Sequence, residues 1–177
     1  MVARSNTTLE RLLLGYPGLA TLFGRAASAK LLEPHPIQAE IELCTLAAQS
    51  AAERRGGSAP AFVAVAGGML DNLAYVLSRA EPAAELSGAP MVILVLAPRS
   101  DADARESMEA AIEVLLLALA ALGYGWRLGP GPEVGEAIES VLGVRPDRRI
   151  YRLVETGTPN EADAPTLPAL GPELTVI

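Results

Sequence analysis

Cysteine and histidine each occur once in this 177-residue chain, and positive charge and long apolar runs are scarce. One cysteine permits neither a disulfide framework nor a thiolate metal site within a single chain. Cys44 falls on the apolar face of a helical pattern and reads as a small core residue. The one histidine, His35, stands between two prolines in "EPHP" and reads as part of a rigid surface joint. That leaves no histidine for a catalytic triad and no histidine set for a metal. No P-loop, nucleophile elbow or HExxH string is present, which removes the kinases and hydrolases built on them. The longest apolar run, around Ala110–Leu122, is only about 13 residues, carries Glu113, and is too short to span a bilayer. No basic segment followed by an apolar one opens the chain, so a soluble, cytoplasmic protein is expected.

Acidic residues outnumber basic ones by 21 to 14, giving a net charge of −7. Phosphate backbones need a clustered positive field, so this balance argues against nucleic acid as a partner. Half of the residues are hydrophobic. Together with a mean hydropathy of +0.29, that predicts one folded domain over 1–177 with a sizeable core.

The elements follow from periodicity. "NTTLERLLL" predicts a short N-terminal helix within 1–18, and a second short helix or turn spans Leu19–Ala29. Apolar positions 37, 41, 44 and 48 share one helical face and predict a helix to about Glu53. "AFVAVAG" at 61–67 has strand length and composition, and Met69–Arg79 reads as a helix. "APMVILVLAP" at 89–98 is apolar on both faces, as a central strand covered by helices on each side is. Asp101–Leu122 is predicted as a long helix, apolar all round in its last turns and therefore a buried central helix. Pro132–Leu142 is another helix with Gly143 as its stop, and "RIYRLVETG" at 149–157 alternates as a strand. The tail at 160–177 is proline-rich and extended, suited to crossing onto a partner subunit. The fold class is α+β, layered.

Between the long helix and the next lies "GYGWRLGPGP", whose glycines superficially suggest a dinucleotide fingerprint. The context is wrong: the string follows a helix rather than a strand, and its prolines remove amide donors. It is not a Rossmann loop.

Several strings in order resemble the FMN-dependent nitroreductase family. They are Ala89-Pro90 opening an apolar strand, Gly123-Tyr124-Gly125 ending the long helix, Leu142-Gly143-Val144 ending the next, and Gly157-Thr158-Pro159 closing the last strand. The resemblance covers roughly residues 20–160. It implies a mixed sheet packed between helices and a homodimer with FMN at the subunit interface, lined by both chains. It also implies a backbone N–H beside the flavin N5, at Leu128 or Gly129, on a loop after the long helix. Glycine allows such close backbone approach to a flat ring.

The family's Arg-Arg-Ser-x-Arg phosphate clamp is matched here by "RAASAK": Ser28 keeps the serine, Lys30 replaces the second arginine, and Arg25 is displaced by a residue or two. Lysine supplies charge to a phosphate without the bidentate fork of arginine. The ring- and ribityl-binding string is matched by "AAQSAAERRGG", which keeps Ser50 and Gln49 and loses the asparagine.

The cofactor-binding residues implied are thus Arg25, Ser28, Lys30, Gln49, Ser50, Leu128 and Gly129. No catalytic side chain and no metal ligand is assigned. Two functions are open: a two-electron FMN oxidoreductase drawing on a reduced nicotinamide, NAD(P)H, or a nitroreductase-like scaffold that has lost FMN and serves as a binding protein or non-catalytic subunit.

Overall fold

The structure, a computed structural model, describes residues 30–80, 86–100, 104–131 and 135–160. The helices expected before Lys30, together with Arg25, Ser28 and the tail beyond Asn160, lie outside the described residues. In chain order the elements are β1 (Leu31–Leu32), α1 (Gln38–Arg54), β2 (Ala61–Ala66), α2 (Gly68–Ala80) and β3 (Met91–Pro98). They continue with α3 (Arg105–Ala121), β4 (Gly125–Leu128), α4 (Gly135–Leu142) and β5 (Arg148–Pro159).

β3 organises the core. Every residue from Met91 to Ala97 is buried, and alternation sends successive side chains to opposite faces. Met91, Ile93 and Val95 pack with Cys44 and Ala48 of α1 and with Ala111, Leu115 and Leu119 of α3. Val92, Leu94 and Leu96 pack instead with Leu73 and Leu77 of α2 and Ile138 of α4. The central strand expected from "MVILVLA" is therefore covered by two helices on each side. Cys44, Ala48, Ala51 and Ala52 give α1 a narrow buried stripe, which lets it lie close to α3.

The sheet order is β1-β5-β3-β2, with β4 also paired to β5. β2 runs against one edge of β3 from Ala61↔Leu96 to Ala66↔Met91. β5 runs against the other edge, with a register shift at Val95/Leu96 that leaves Tyr151 as the extra residue. The far edge of β5 is shared by β4, opposite 154–157, and β1, opposite 158–159. All pairings among the described residues are antiparallel, so a parallel member of the mixed sheet is not among them.

Two expectations change. Gly125–Leu128 is a strand where a loop was expected, because β5 offers it an unpaired edge that no local pattern reveals. The long helix is buried on one side only: Leu117 is 52% exposed and Leu122 40%, although Leu115, Leu119 and Ala120 are buried. The stop signals hold, with Gly123 at φ 96° and Gly143 at φ 62°, a backbone region that disfavours other residues.

Leu115 is completely buried between α1 and the sheet. Leu115→Ala is expected to lower unfolding free energy by about 3 kcal/mol in a urea titration, through lost transfer energy and the cavity left behind.

Candidate functional site

Of the seven implied site residues, Lys30, Leu128 and Gly129 lie along the edge of β5 that carries β4 and β1. Leu31 pairs with Pro159, and the Asn160 N–H donates to the Lys30 carbonyl at 3.1 Å, which ties Lys30 to the end of β5. Leu128 pairs with Val154 further along the same edge. Five residues of β5 separate the two positions, roughly 17 Å of extended strand.

Antiparallel pairing decides which amides face outward. The Gly129 N–H donates to the Leu153 carbonyl at 3.0 Å, so it is engaged inside the sheet. Successive residues of such a ladder point their N–H groups to opposite edges, which turns that of Leu128 away from β5. Among the described strands β4 pairs with β5 alone, and Leu128 is 45% exposed. Of the two candidate backbone donors, Leu128 is the available one.

The glycines around it serve the chain's own packing. A Cβ on Gly125 would meet Leu31 Cδ2 at 2.8 Å and Pro159 Cβ at 3.2 Å. A Cβ on Gly129 would lie 3.2 Å from Leu153 Cβ and 3.5 Å from Glu155 Oε1. The close approach these residues permit is of strand on strand, where a flat ring was expected to take the space.

Gln49 and Ser50 belong to a different neighbourhood. Gln49 Nε2 donates to the Pro60 carbonyl at 3.2 Å, and Ser50 is half-buried beside it near the end of α1. The start of the same helix reaches β4, where the Tyr124 hydroxyl donates to Glu40 Oε2 at 2.7 Å. Nine residues of α1 separate Glu40 from Gln49, about 14 Å of helix. A hollow of about 560 Å³ opens between Arg55, just past the end of α1, and Arg105, Glu106, Glu109 and Glu113 of α3, and neither Gln49 nor Ser50 lines it. Glu109 in its wall accepts the Tyr151 hydroxyl at 2.7 Å.

Sequence reasoning missed three carboxylates that pin β4 and β5. Glu40 accepts the Ile37 N–H at 2.9 Å as well as Tyr124, and these two bonds hold its carboxyl below the usual carboxylate range. Burial, reinforced by Glu40, pushes the Tyr124 phenol up to about 12. Burial and Glu109 push Tyr151 up to about 12 as well. Burial, and the charge of Glu40, raise the Cys44 thiol to about 11, so it is a core residue as expected and not a nucleophile. His35 is likewise a joint residue: its N–H donates to Glu33 Oε2 at 2.9 Å and its Nδ1 lies 2.9 Å from the Pro36 carbonyl. Glu155 is fully buried, and Arg127 across the ladder reaches its Oε1. The one available signal for this last pair was the charge of Glu155 within the otherwise uncharged run "LVETG". No metal-holding cluster of histidine, cysteine or carboxylate occurs among the described residues, and none of their helices is long and apolar enough to cross a membrane.

Along the β5 edge the chain thus places a lysine near one end and an outward backbone N–H further along. No family model matches the chain, and no curated protein matches it in sequence. Its architecture does define a class: this is the nitroreductase fold, an α+β sheet between helices, shared with many solved structures. One is an FMN-dependent nitroreductase from Clostridium difficile, with a TM-score of 0.69 and 18% identity, covering 84% of this chain and 91% of that one. A variant FMN- and NADPH-dependent nitroreductase derived from sphigopyxis sp. strain HMH gives 0.68 at 13% identity, covering 87% and 94%. Oxidized iodotyrosine deiodinase bound to FMN and 3-iodo-L-tyrosine gives 0.66 at 19% identity, covering 90% and 96%. At these identities the likeness is one of fold.

The Glu40 carboxyl has a lowered folded-state pKa, so its stabilising contribution is present above the unfolded value of about 4.3 and is lost as pH falls through the folded one. Tyr124→Phe is expected to lower the melting temperature at pH 7, and the gap to the parent should narrow as the pH drops below about 4. For both tyrosines the raised pKa has the opposite sign. Stability is fully present below about pH 10 and is lost towards about 12, where tyrosinate absorbance should report Tyr124 and Tyr151 ionising.

Proposed function

We propose that this protein is an FMN-dependent oxidoreductase of the nitroreductase type that works as a cytoplasmic homodimer. The observation that carries the reading is the β5 edge, which presents Lys30 and the outward Leu128 N–H in line on a nitroreductase fold. Bound FMN would supply two-electron transfer from a reduced nicotinamide to a small acceptor, so no acid–base constellation in the protein is needed. Lys30, joined by Arg25 and Ser28, holds the phosphate. Leu128 donates its N–H to the flavin ring at N5, and the β4–β5 ladder keeps that donor rigid. Gln49 and Ser50, well along α1 from the Glu40 that meets Tyr124, line the site from a second copy of the chain.

The dimer accounts for exposed apolar side chains on the helix layer. Leu43 and Leu46 of α1 are 59% and 62% exposed and Leu117 of α3 is 52% exposed, an unusual loss of burial for three leucines on neighbouring helices. A second copy covering this layer removes them from water and accounts for a long helix that is apolar all round.

A second reading, a scaffold that has lost FMN, is favoured by two donors already engaged inside the chain, Gln49 Nε2 and the Gly129 N–H. The visible spectrum of purified protein, before and after adding FMN and removing the excess, separates the two. A retained flavin band is expected, and Lys30→Ala should weaken FMN affinity about tenfold or more through loss of a charge-assisted contact. Colourless protein that holds no added FMN would leave the scaffold reading standing. In sedimentation the parent is expected as a dimer, and Leu117→Asp or Leu46→Asp as a monomer.

A further inference from the structure

β4 carries little register information of its own. It is four residues long, starts on Gly125, and is followed by Gly129 and Pro130. Two of its contacts are directional: the buried Thr156 hydroxyl donates to the Gly125 carbonyl at 2.9 Å, and the second joins charged side chains. Arg127 stands opposite Glu155, whose side chain is fully buried, and its Nε and Nη2 donate to Oε1 at 3.4 and 3.2 Å. Oε2 accepts the Ser87 N–H at 2.7 Å and the Ser87 hydroxyl. The carboxylate thus joins β4, β5 and the segment that leads into β3. Glu155 is fully buried while the Arg127 side chain is 41% exposed, and a pair that takes one carboxylate out of water in this way is a poor source of stability. What it does supply is direction.

We infer that the Glu155–Arg127 pair is the register pin of β4 and thereby selects Leu128 as the residue whose N–H faces the cofactor edge. The inference rests on the flavin reading for its second half. N–H groups alternate between the two edges of a strand, so a slip of one residue turns the Leu128 donor inward and an adjacent residue's donor outward. Such a slip would also set Trp126 or Leu128 against the buried carboxylate and leave it without its cation. Gly129 belongs to the same device: its missing side chain leaves room beside Glu155 Oε1, 3.5 Å from where a Cβ would stand. Glu155 and Arg127 are positioning residues that act through the backbone of Leu128.

Amide hydrogen exchange on the full chain tests the pin without flavin. In the parent, Gly129 is expected to exchange at least tenfold more slowly than Leu128. Replacing both partners, Arg127→Met with Glu155→Met, should bring the two rates within about twofold while Ile93 and Leu94 in β3 stay protected. A tenfold difference that survives in the double variant would overturn the pin. Should that variant lose protection in β3 as well, Glu155→Gln reads the same question: at least threefold faster exchange at Gly129 is expected, and an unchanged rate overturns the pin. FMN is then added. In the parent it should slow Leu128 exchange, and in the variants its affinity should fall at least tenfold, with a shifted visible band in whatever remains bound. A parent that binds FMN with Leu128 exchange unchanged overturns the cofactor half. A parent that binds none refutes the flavin reading and that half together, while the flavin-free exchange still decides the register.

Discussion

β5 is paired with strands on both edges at 154–156, and the geometry of the β4 edge follows from that. A buried strand must satisfy its N–H and C=O groups within the protein, because none reaches water. β3 satisfies one edge of β5 over 148–156, β4 and β1 take 154–159 of the other, and the Ile150 N–H donates to the Glu139 carboxylate. The two short strands exist because this edge needs partners, and neither has enough length or apolar content to form on its own. Once they are in place, the backbone after α3 is held flat against the sheet, and the outward amides of β4 become a fixed feature.

Three carboxylates reinforce this arrangement from outside the ladder. Glu40 reaches from α1 to Tyr124, Glu109 from α3 to Tyr151, and Glu155 from β5 to Arg127 and Ser87. In each case acceptor and donor come from different elements, so each bond fixes one element against another. Burial of the two phenols, and then their bonds to the carboxylates, raise both phenol pKa values. An acidic composition that argued against nucleic acid turns out to contribute to the internal wiring of the sheet.

The legible parts of the fold are those whose pattern is long. "APMVILVLAP" announces β3 because a strand buried on both faces must be apolar at every position. α1, α2 and α3 are readable from their periodicity, and Gly143 as a stop from the left-handed backbone it adopts. β1 and β4, two and four residues long, carry no periodicity at all. The one-sided burial of α3 was illegible for another reason. A run apolar all round does not say which of its sides the chain itself covers.

The candidate site divides in the same way. Lys30 is readable as a charge in a phosphate-type string, and Leu128–Gly129 as a position after a helix stop. Which of those two residues offers its N–H is decided by ladder parity, and parity depends on pairing with a strand some 25 residues further on. Gln49 looked like a ligand from its neighbours in the chain, yet the fold turns its amide onto Pro60. By itself the sequence determined the layered α+β class, the buried central strand, the helix stops and the absence of disulfide and histidine chemistry, because these depend on residue type and local period. Tertiary structure alone decided the existence of β4, the partner of Glu155, the role of the glycines and the orientation of the Leu128 donor. Those are settled by contacts between residues far apart in the chain, whose energies no local pattern contains.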